Sequence, residues 1–489
     1  MEGAGGGAFN EQKYKELLEG LEVSEVMLSE LFLDNEKFRI DNEFFQKQYL
    51  ATYRTIKRMK YTTISEIISC LTDFHANGSY ETIAKNFELL DEPDFAYMVR
   101  STDLEAQDFE TNVKYVSKHT YDFLSKSKVY GGELLINKIG TPGKTYIMPN
   151  LNRPVSLGMN LFLLRIKPNH NINEYFLWAF FNSKFGQNII KRKVNGTVPL
   201  TIDKEAIKSL YVPIIDINIQ NLISELILKS QEKLIESKNI YKQAEELLLE
   251  AIGLKDFKPN EKGTNIKSFK ESFLATGRLD AEYYQVKYEE IIDVVKNFKN
   301  GFANFDLFID GYSTGYPYKS ETYINENGIP LVRINNLTKE GLNLSNAIHI
   351  PKEDLNLSKK DIAQENDILI SMSGTIGLSC VVREKNKVVV NQRIMKITSK
   401  NYNPHVLSML LNSIVGKYQL DRIGTGGVQT NISSNDIKNI IIPIIDYKIQ
   451  QHISELIEES FYLRGESERL LGEAKDVVER EIGNNNTSK

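Results

Sequence analysis

Two pairs of carboxylates recur at one spacing in this chain. Asp41 and Glu43 stand in "FRIDNEFFQKQY", and Asp280 and Glu282 in "GRLDAEYYQVKY". Paired carboxylates can run acid–base chemistry or hold a divalent metal. Neither arm brings a second acidic or histidine cluster, so interaction or contacts at a helix N-terminus are the better expectation. "IGTPGKT", residues 139–145, offers a phosphate loop. Such a loop needs a glycine five positions before Gly143, where the chain has Lys138, and the later "SGTIGLS" has Leu378 where the lysine would be. The shared Gly-Thr-x-Gly reads instead as a tight turn between strands that needs positive φ. The six histidines form no ligand-spaced pair, and Cys70 and Cys380 alone cannot build a zinc site. No Asn-Pro-Pro-aromatic, no Gly-rich cofactor loop after a strand and no convincing Pro-Asp…Glu-x-Lys run is present. We therefore expect no catalytic group, no metal and no cofactor in this chain.

The elements that carry these residues come twice. "MVR" at 98–100 is echoed by "LVR" at 331–333, and "LLINKIGTPG" at 134–143 by "ILISMSGTIG" at 368–377. "FFNSKFGQ" at 180–187 is echoed by "LLNSIVGK" at 410–417, and "YVPIIDINIQNLISELILKS" at 211–230 by "IIPIIDYKIQQHISELIEES" at 441–460. The offset stays between 230 and 239 residues in chain order. A period this long means two whole domains rather than a solenoid. Each half starts with an arm and continues through short β-like runs broken by Gly, Asn and Pro turns. Each closes on Pro-Ile-Ile-Asp and a long helix. The expected organisation is an arm with a flexible tail at 1–50, a first mixed domain at 51–215 and a central helix at 216–252. A linker and second arm follow at 253–300, a second mixed domain at 301–445 and a terminal helix at 446–489.

The two helices are the best-defined elements. Pro213 and Pro443 end the strands before them, and Asp216 and Asp446 are natural N-caps. At about 36 residues and about 1.5 Å per residue each spans about 54 Å, longer than a domain of this size needs. A seam runs through Ile223, Leu226, Ser230, Ser237, Ala244 and Leu247 in the first, and through Ile453, Leu456, Ser460, Ser467, Leu470 and Ala474 in the second. Small residues recur at matching places, which suits close helix–helix approach. Gly465 and Gly472 weaken the second helix by about 1 kcal/mol each, so partner packing must hold it. The expected fold is α+β: two homologous mixed α/β domains in tandem, separated by two long helices paired as an antiparallel coiled coil, with pseudo-twofold symmetry.

Composition sets the class. With 41% hydrophobic and 26% charged residues and no apolar run of membrane-spanning length, the chain reads as a soluble protein. The acidic N-terminus lacks a basic region and an apolar core, so no secretion signal is expected, and two lone cysteines suggest a reducing, cytoplasmic setting. The net charge of −5 hides a pattern. Residues 1–50 hold 5 Lys/Arg against 11 Asp/Glu, whereas residues 51–215 hold 21 against 16. Local patches, not the total, decide contact with phosphates.

Taken together, the "RIDNEFFQ"/"GRLDAEYYQ" arms, "ILISMSGTIG", "GTGGVQTNIS" at 424–433 and "IIPIIDYKIQQHISELI" resemble the specificity subunit of a Type I restriction-modification system. The resemblance runs from about residue 21 to residue 482. It implies two target-recognition domains, each reading one half of a split DNA sequence, on helices that set the gap and bind two methyltransferase subunits. Those partners would carry S-adenosylmethionine and modify adenine, and restriction/translocase subunits would join to cut unmodified DNA. The first half departs from the pattern, with "NGTVPLTID" at 195–203 in place of "GTGGVQTNIS" and a looser "NEKFRIDNEFF" arm. The resemblance does not carry over the recognised bases.

Candidate DNA contacts follow from residue type, Arg and Lys for phosphates and Arg, Asn or Gln for base edges. In the first domain they are Lys138, Lys144 and Arg153 around the Gly-Thr turn, and Lys191, Arg192, Lys193 and Asn195 in "KRKVNG". In the second they are Arg333, Asn335, Asn336, Arg383, Lys385, Lys387, Gln392, Arg393 and Gln429. A charged helix end, a soluble hairpin tip and a purely structural glycine loop are the competing accounts of "KRKVNG", "REKNK" and the loop at Gln429. A helical-strut adaptor that binds proteins and not DNA is the rival function.

Overall fold

The computed structural model describes residues 10–32, 34–168, 170–196, 198–260, 263–345, 347–383, 385, 387–424 and 431–484. It divides into unit 1, Met1–Glu232 with Ser467–Lys489, and unit 2, Lys233–Glu466. Eight helices of nine residues or more lie among the described residues: α1 (Lys47–Arg58), α2 (Glu174–Asn182), α3 (Lys184–Lys193), α4 (Ile217–Ala251), α5 (Val286–Lys296), α6 (Pro404–Asn412), α7 (Ile414–Gly424) and α8 (Tyr447–Asn484). The first three belong to unit 1 and α5–α7 to unit 2, while α4 and α8 each give a segment to both. No helix is long and apolar enough to cross a membrane among the described residues.

Unit 1 holds two four-stranded sheets. One is antiparallel, in the order Ile68–Asp73, Leu161–Ile166, Leu134–Asn137, Thr145–Ile147. The other runs Lys114–Val116, Ala96–Val99, Val155–Leu157, Lys128–Val129, with a parallel central pair. Unit 2 repeats both. Its antiparallel sheet is Ile309–Ser313, Ile394–Ser399, Ile368–Ser371, Ser379–Val381. Its mixed sheet is Ile348–Ile350, Ile329–Val332, Val388–Val390, Ile362–Ala363. The inner strands "LLIN" and "ILIS" are buried at every position, as strands covered on both faces must be.

In each unit one helix pair covers the antiparallel sheet. Asn173 caps α2 by accepting from the Phe176 N–H, and Asn403 caps α6, where Pro404 takes the first turn. The following helix starts after a single serine. A Cβ on Gly186 would stand 2.0 Å from the Phe180 carbonyl oxygen, and one on Gly416 2.4 Å from that of Leu411. Only glycine allows so abrupt a change of direction.

The long helices join these cores. Asp216 Oδ1 accepts from the Asn218 N–H at 2.8 Å and Asp446 Oδ1 from the Lys448 N–H at 2.9 Å. Gln220 Nε2 donates to the Ile215 and Asn171 carbonyls, and Gln450 Nε2 to that of Ile445, tying each helix start to its domain. In unit 1, Ile223, Leu226 and Ile227 of α4 pack with Ala474, Val477, Val478 and Ile482 of α8 and with α2 and α3. In unit 2, Ala244, Leu248 and Ile252 share a core with Ile453 and Ile457. The pairing is antiparallel and uses the expected small residues. The Ser230 hydroxyl meets Ser467 in unit 1, and that of Ser237 meets Ser460 in unit 2.

The expected seam was too narrow. Leu247, Leu456 and Leu470 are only partly buried, while Ile227, Leu248, Ile457 and Val478 are fully covered. Each helix segment faces both its twin and the sheet-covering helices of its own unit. Its apolar stripe is therefore wider than the two positions per heptad of a free-standing coiled coil.

Candidate nucleic-acid interface

The aspartate of each arm pair is engaged by an arginine of the same arm, while Glu43 and Glu282 are exposed. The Arg39 guanidinium donates to Asp41 from two nitrogens, at 2.7 and 2.6 Å, and from Nη1 to the Val194 carbonyl at 2.6 Å. Arg278 donates twice to Asp280, at 2.7 and 2.5 Å, and to the Ile423 carbonyl at 3.1 Å. Each arm is thus pinned to the C-terminal end of a helix, α3 or α7, where unsatisfied carbonyls favour a cation.

That docking corrects the "KRKVNG" expectation. Arg192 is 3% exposed, its Nε donates to the Phe44 carbonyl, and its guanidinium lies 4.2 Å from the Phe44 and Tyr53 ring centroids. Lys193 is 5% exposed and donates to Glu36 at 2.6 Å and to the Asp34 carbonyl. Burial pulls the Lys193 ammonium below the usual lysine range. Asn195 Oδ1 accepts from Arg39. Arg192 and Lys193 serve the arm and are closed to a phosphate as placed, while Asn195 is half-buried. Only Lys191 of that group is exposed, with no ion-pair partner among the described residues.

The other unit 1 candidates are less enclosed. Lys138 Nζ lies 3.2 Å and Lys204 Nζ 2.7 Å from Asp73, at a cavity of about 570 Å³ that His75 and Thr201 also line. Burial pushes the Asp73 carboxyl up, and the hydrogen bonds from Lys204 and Lys138 more than reverse this, leaving it below the usual carboxylate range. Lys144 is exposed and pairs with Glu105 at 3.1 Å. Arg153 is exposed, donates to the Phe109 carbonyl and covers the Tyr97 ring at 4.7 Å.

In unit 2 four candidates come together. Arg333, Asn335, Gln392 and Arg393 line one cavity of about 700 Å³ with Ser373, Gly374 and Thr375. The floor is the Gly-Thr-x-Gly turn, and its geometry explains the repeat. Gly374 and Gly377 have φ of +69° and +76°, and Gly140 and Gly143 have +85° and +86°. A Cβ on Gly143 would lie 2.0 Å from Ile190 Cγ2, and one on Gly377 2.4 Å from Leu420 Cδ1. The turn therefore sits hard against the helix behind it.

Asn336 is corrected. It is 3% exposed, its Oδ1 accepts the Arg333 N–H at 2.9 Å, and its Nδ2 donates to the Asn343 carbonyl, so it builds the loop rather than facing outward. Arg383 is exposed, donates to the Glu340 carbonyl and covers Phe461 at 3.9 Å. Lys385 and Lys387 are exposed. Gln429 lies outside the described residues.

Asn391, and Met159 and Asn160 of the other unit, stand in backbone segments held by matching hydrogen bonds. The Asn391 N–H donates to the Val332 carbonyl as Gly158 does to Val99, and the Met372 N–H donates to the Arg393 carbonyl as Lys138 does to Asn160. Residues 391–393 and 158–160 are therefore equivalent. The signal was the neighbouring "LVR"/"MVR" echo, whose strands pair with the ones that end there.

A family model described as Type I restriction modification DNA specificity domain matches residues 67–248 and again residues 305–465. No curated protein matches the chain. Among solved structures it is similar to the Type-I restriction-modification system S subunit from M. genitalium, with 12% identity over 86% of this chain and 93% of that one and a TM-score of 0.37. It is also similar to the HsdS subunit from Thermoanaerobacter tengcongensis, with 12% identity over 86% and 96% and a TM-score of 0.28. With most of its length in the two matched stretches, the chain belongs to the family of Type I restriction-modification DNA specificity proteins.

Proposed function

We propose that the chain reads a bipartite DNA target, one half through each mixed domain, and does no catalysis itself. The paired helices set the gap between half-sites and scaffold two methyltransferase subunits, with restriction/translocase subunits added to them. The methyltransferase subunits bring S-adenosylmethionine and modify adenine. The contacts come from Lys138, Lys144, Arg153 and Lys191 in unit 1, and from Arg333, Asn335, Arg383, Lys385, Lys387, Gln392 and Arg393 in unit 2.

One observation carries this reading. The same backbone hydrogen bonds hold Gly158-Met159-Asn160 in one unit and Asn391-Gln392-Arg393 in the other. A scaffold kept while its outward side chains differ is what reading two unlike half-sites requires, since base edges are told apart by donor and acceptor pattern. The test is an exchange of residues 301–445 for the matching domain of another family member, followed by mapping of methylated positions. One half of the target should change and the other stay. Changing the length of α4 near residues 237–242 should alter only the gap. If both halves changed after the exchange, or neither, the modular reading is wrong. Failure of the assembled complex to show steeply salt-dependent DNA binding would favour an adaptor instead.

A further inference from the structure

The two sheets of unit 2 are held to the long helices in different ways. The antiparallel sheet shares an apolar core with them, Ile368 and Ile370 packing in one cluster with Ala244 and Leu248 of α4 and Ile453 and Ile457 of α8. The apolar clusters of the mixed sheet contain no residue of α4 or α8 among the described residues. A short hairpin supplies its link instead. Leu337–Thr338 pairs antiparallel with Gly341–Leu342, and Lys339 and Glu340 form the tip. The Thr338 hydroxyl closes the turn by donating to the Gly341 carbonyl at 2.9 Å.

One end of the hairpin runs into the wall of the cavity. The Asn343 N–H donates to the Asn336 carbonyl at 2.8 Å, and Asn336 Nδ2 donates to the Asn343 carbonyl at 3.0 Å. Asn336 Oδ1 accepts the Arg333 N–H at 2.9 Å, which fixes the turn that places Arg333 and Asn335 on the cavity. The tip lies on the helices. The Tyr241 hydroxyl of α4 donates to the Lys339 carbonyl at 3.3 Å, and Arg464 of α8 forms an ion pair with Glu340. Arg383 donates to the Glu340 carbonyl at 3.2 Å and covers the Phe461 ring of α8. The Arg464 and Glu340 side chains are 25% and 34% exposed, so salt screens this pair less than one on the open surface.

We propose that the hairpin Leu337–Leu342 is a brace that fixes the cavity of unit 2 to α4 and α8, with Glu340 and Arg464 as positioning residues for the gap between half-sites. This rests on the DNA-reading function proposed above and adds to helix length a second determinant of the gap. A helix can measure a distance only for a cavity that is fixed to it. One base pair is about 3.4 Å along the duplex and about a tenth of a turn around it. A cavity released by a few ångströms therefore meets its half-site one pair nearer or farther.

The test is selection by the full chain, in its assembled complex, from DNA duplexes with random half-sites and gaps of varied length. The unsubstituted chain should enrich one split target with one gap. Glu340→Ala and Arg464→Ala should each keep both half-site sequences, which also shows that the variants have folded. Their preference for the parental gap over gaps one pair longer or shorter should fall by about threefold to tenfold, the value of a partly exposed ion pair. Reversing the pair, Glu340→Arg with Arg464→Glu, should restore the single gap. An unchanged gap in both alanine variants overturns the proposal, with or without uniform loss of affinity, because the pair then serves folding alone. Altered bases in the half-site read by unit 2 overturn it as well. If the unsubstituted chain enriches half-sites with no fixed gap, this inference alone falls. If it enriches nothing, the DNA-reading function falls first.

Discussion

The Ser230 hydroxyl donates to the Ser467 carbonyl oxygen at 2.9 Å, and the two hydroxyls lie 2.8 Å apart, buried between α4 and α8. Ser237 and Ser460 repeat the contact, each donating to the other's carbonyl, at 2.7 and 2.8 Å. Backbones this close leave no room for a branched side chain. Ser237→Leu should therefore destabilise unit 2 by about 1–3 kcal/mol through overpacking. Ser237→Ala should cost about 1 kcal/mol, the net worth of a hydrogen bond. Urea unfolding of the full chain measures both, and equal costs would show that the seam is loose.

Glycine substitutions should split by position. Gly143→Ala and Gly377→Ala place a Cβ 2.0 and 2.4 Å from side chains of the helix behind, at positive φ, and should lower the melting temperature. Gly465 lies inside α8, and a Cβ there would have no neighbour within 4 Å. Gly465→Ala should raise stability by about 1 kcal/mol from helix propensity alone. Thermal melts of the three variants decide this.

The duplication, the long helices, their caps and the serine seam were all legible in the sequence, because each depends on local periodicity or on a motif written twice. Arg192 and Lys193 were not. They look like a basic helix end, and only the docking of the arm at Glu36 and Phe44, about 150 residues earlier, buries them. Asn336 misled for a similar reason, since a loop asparagine that caps its own turn has the same letter as one that reaches DNA. The gathering of Arg333, Asn335, Gln392 and Arg393 in one cavity depends on the parallel pairing of Leu331 and Val332 with Val389 and Val390, a long-range register that no local pattern announces.

Acid should erase one stabilising cluster in unit 1. Asp73 is held below the usual carboxylate range by Lys204 and Lys138 against the opposing effect of burial. A depressed folded-state value stabilises fully above the unfolded value of about 3.9, and the gain is lost as pH falls through the folded value. Asp73→Asn should be less stable than the parent at pH 7, with the gap closing as the pH drops below about 4. Denaturant midpoints across that range are the measurement, and a gap that widens in acid would contradict the sign.

Asp103→Asn should loosen the hold on the Arg100 guanidinium in unit 1. The asparagine can still accept the Arg100 N–H, but the charge-assisted bonds to the guanidinium and the short bond from the Tyr97 hydroxyl weaken. Arg100 is partly exposed, so the stability cost should stay near 1–3 kcal/mol. The preferred sequence of the half-site read by unit 1 should then change while that of unit 2 does not. Site selection with the variant shows whether it does.

Salt dependence separates phosphate contacts from base contacts. Lys191 in unit 1 and Lys385 and Lys387 in unit 2 are exposed and have no ion-pair partner among the described residues. A lysine that neutralises a phosphate releases about one counterion on binding. Each change to alanine should therefore reduce the slope of log affinity against log salt by about 1 and leave the preferred sequence intact. Arg192→Ala should behave differently. Its guanidinium packs on Phe44 and Tyr53 and holds the arm, so the variant should lose thermal stability with no loss of salt slope in the folded fraction. Titrations with one duplex at several salt concentrations, beside a melt of each variant, test the two classes together. A slope unchanged in all three lysine variants would place the DNA on another face of both units.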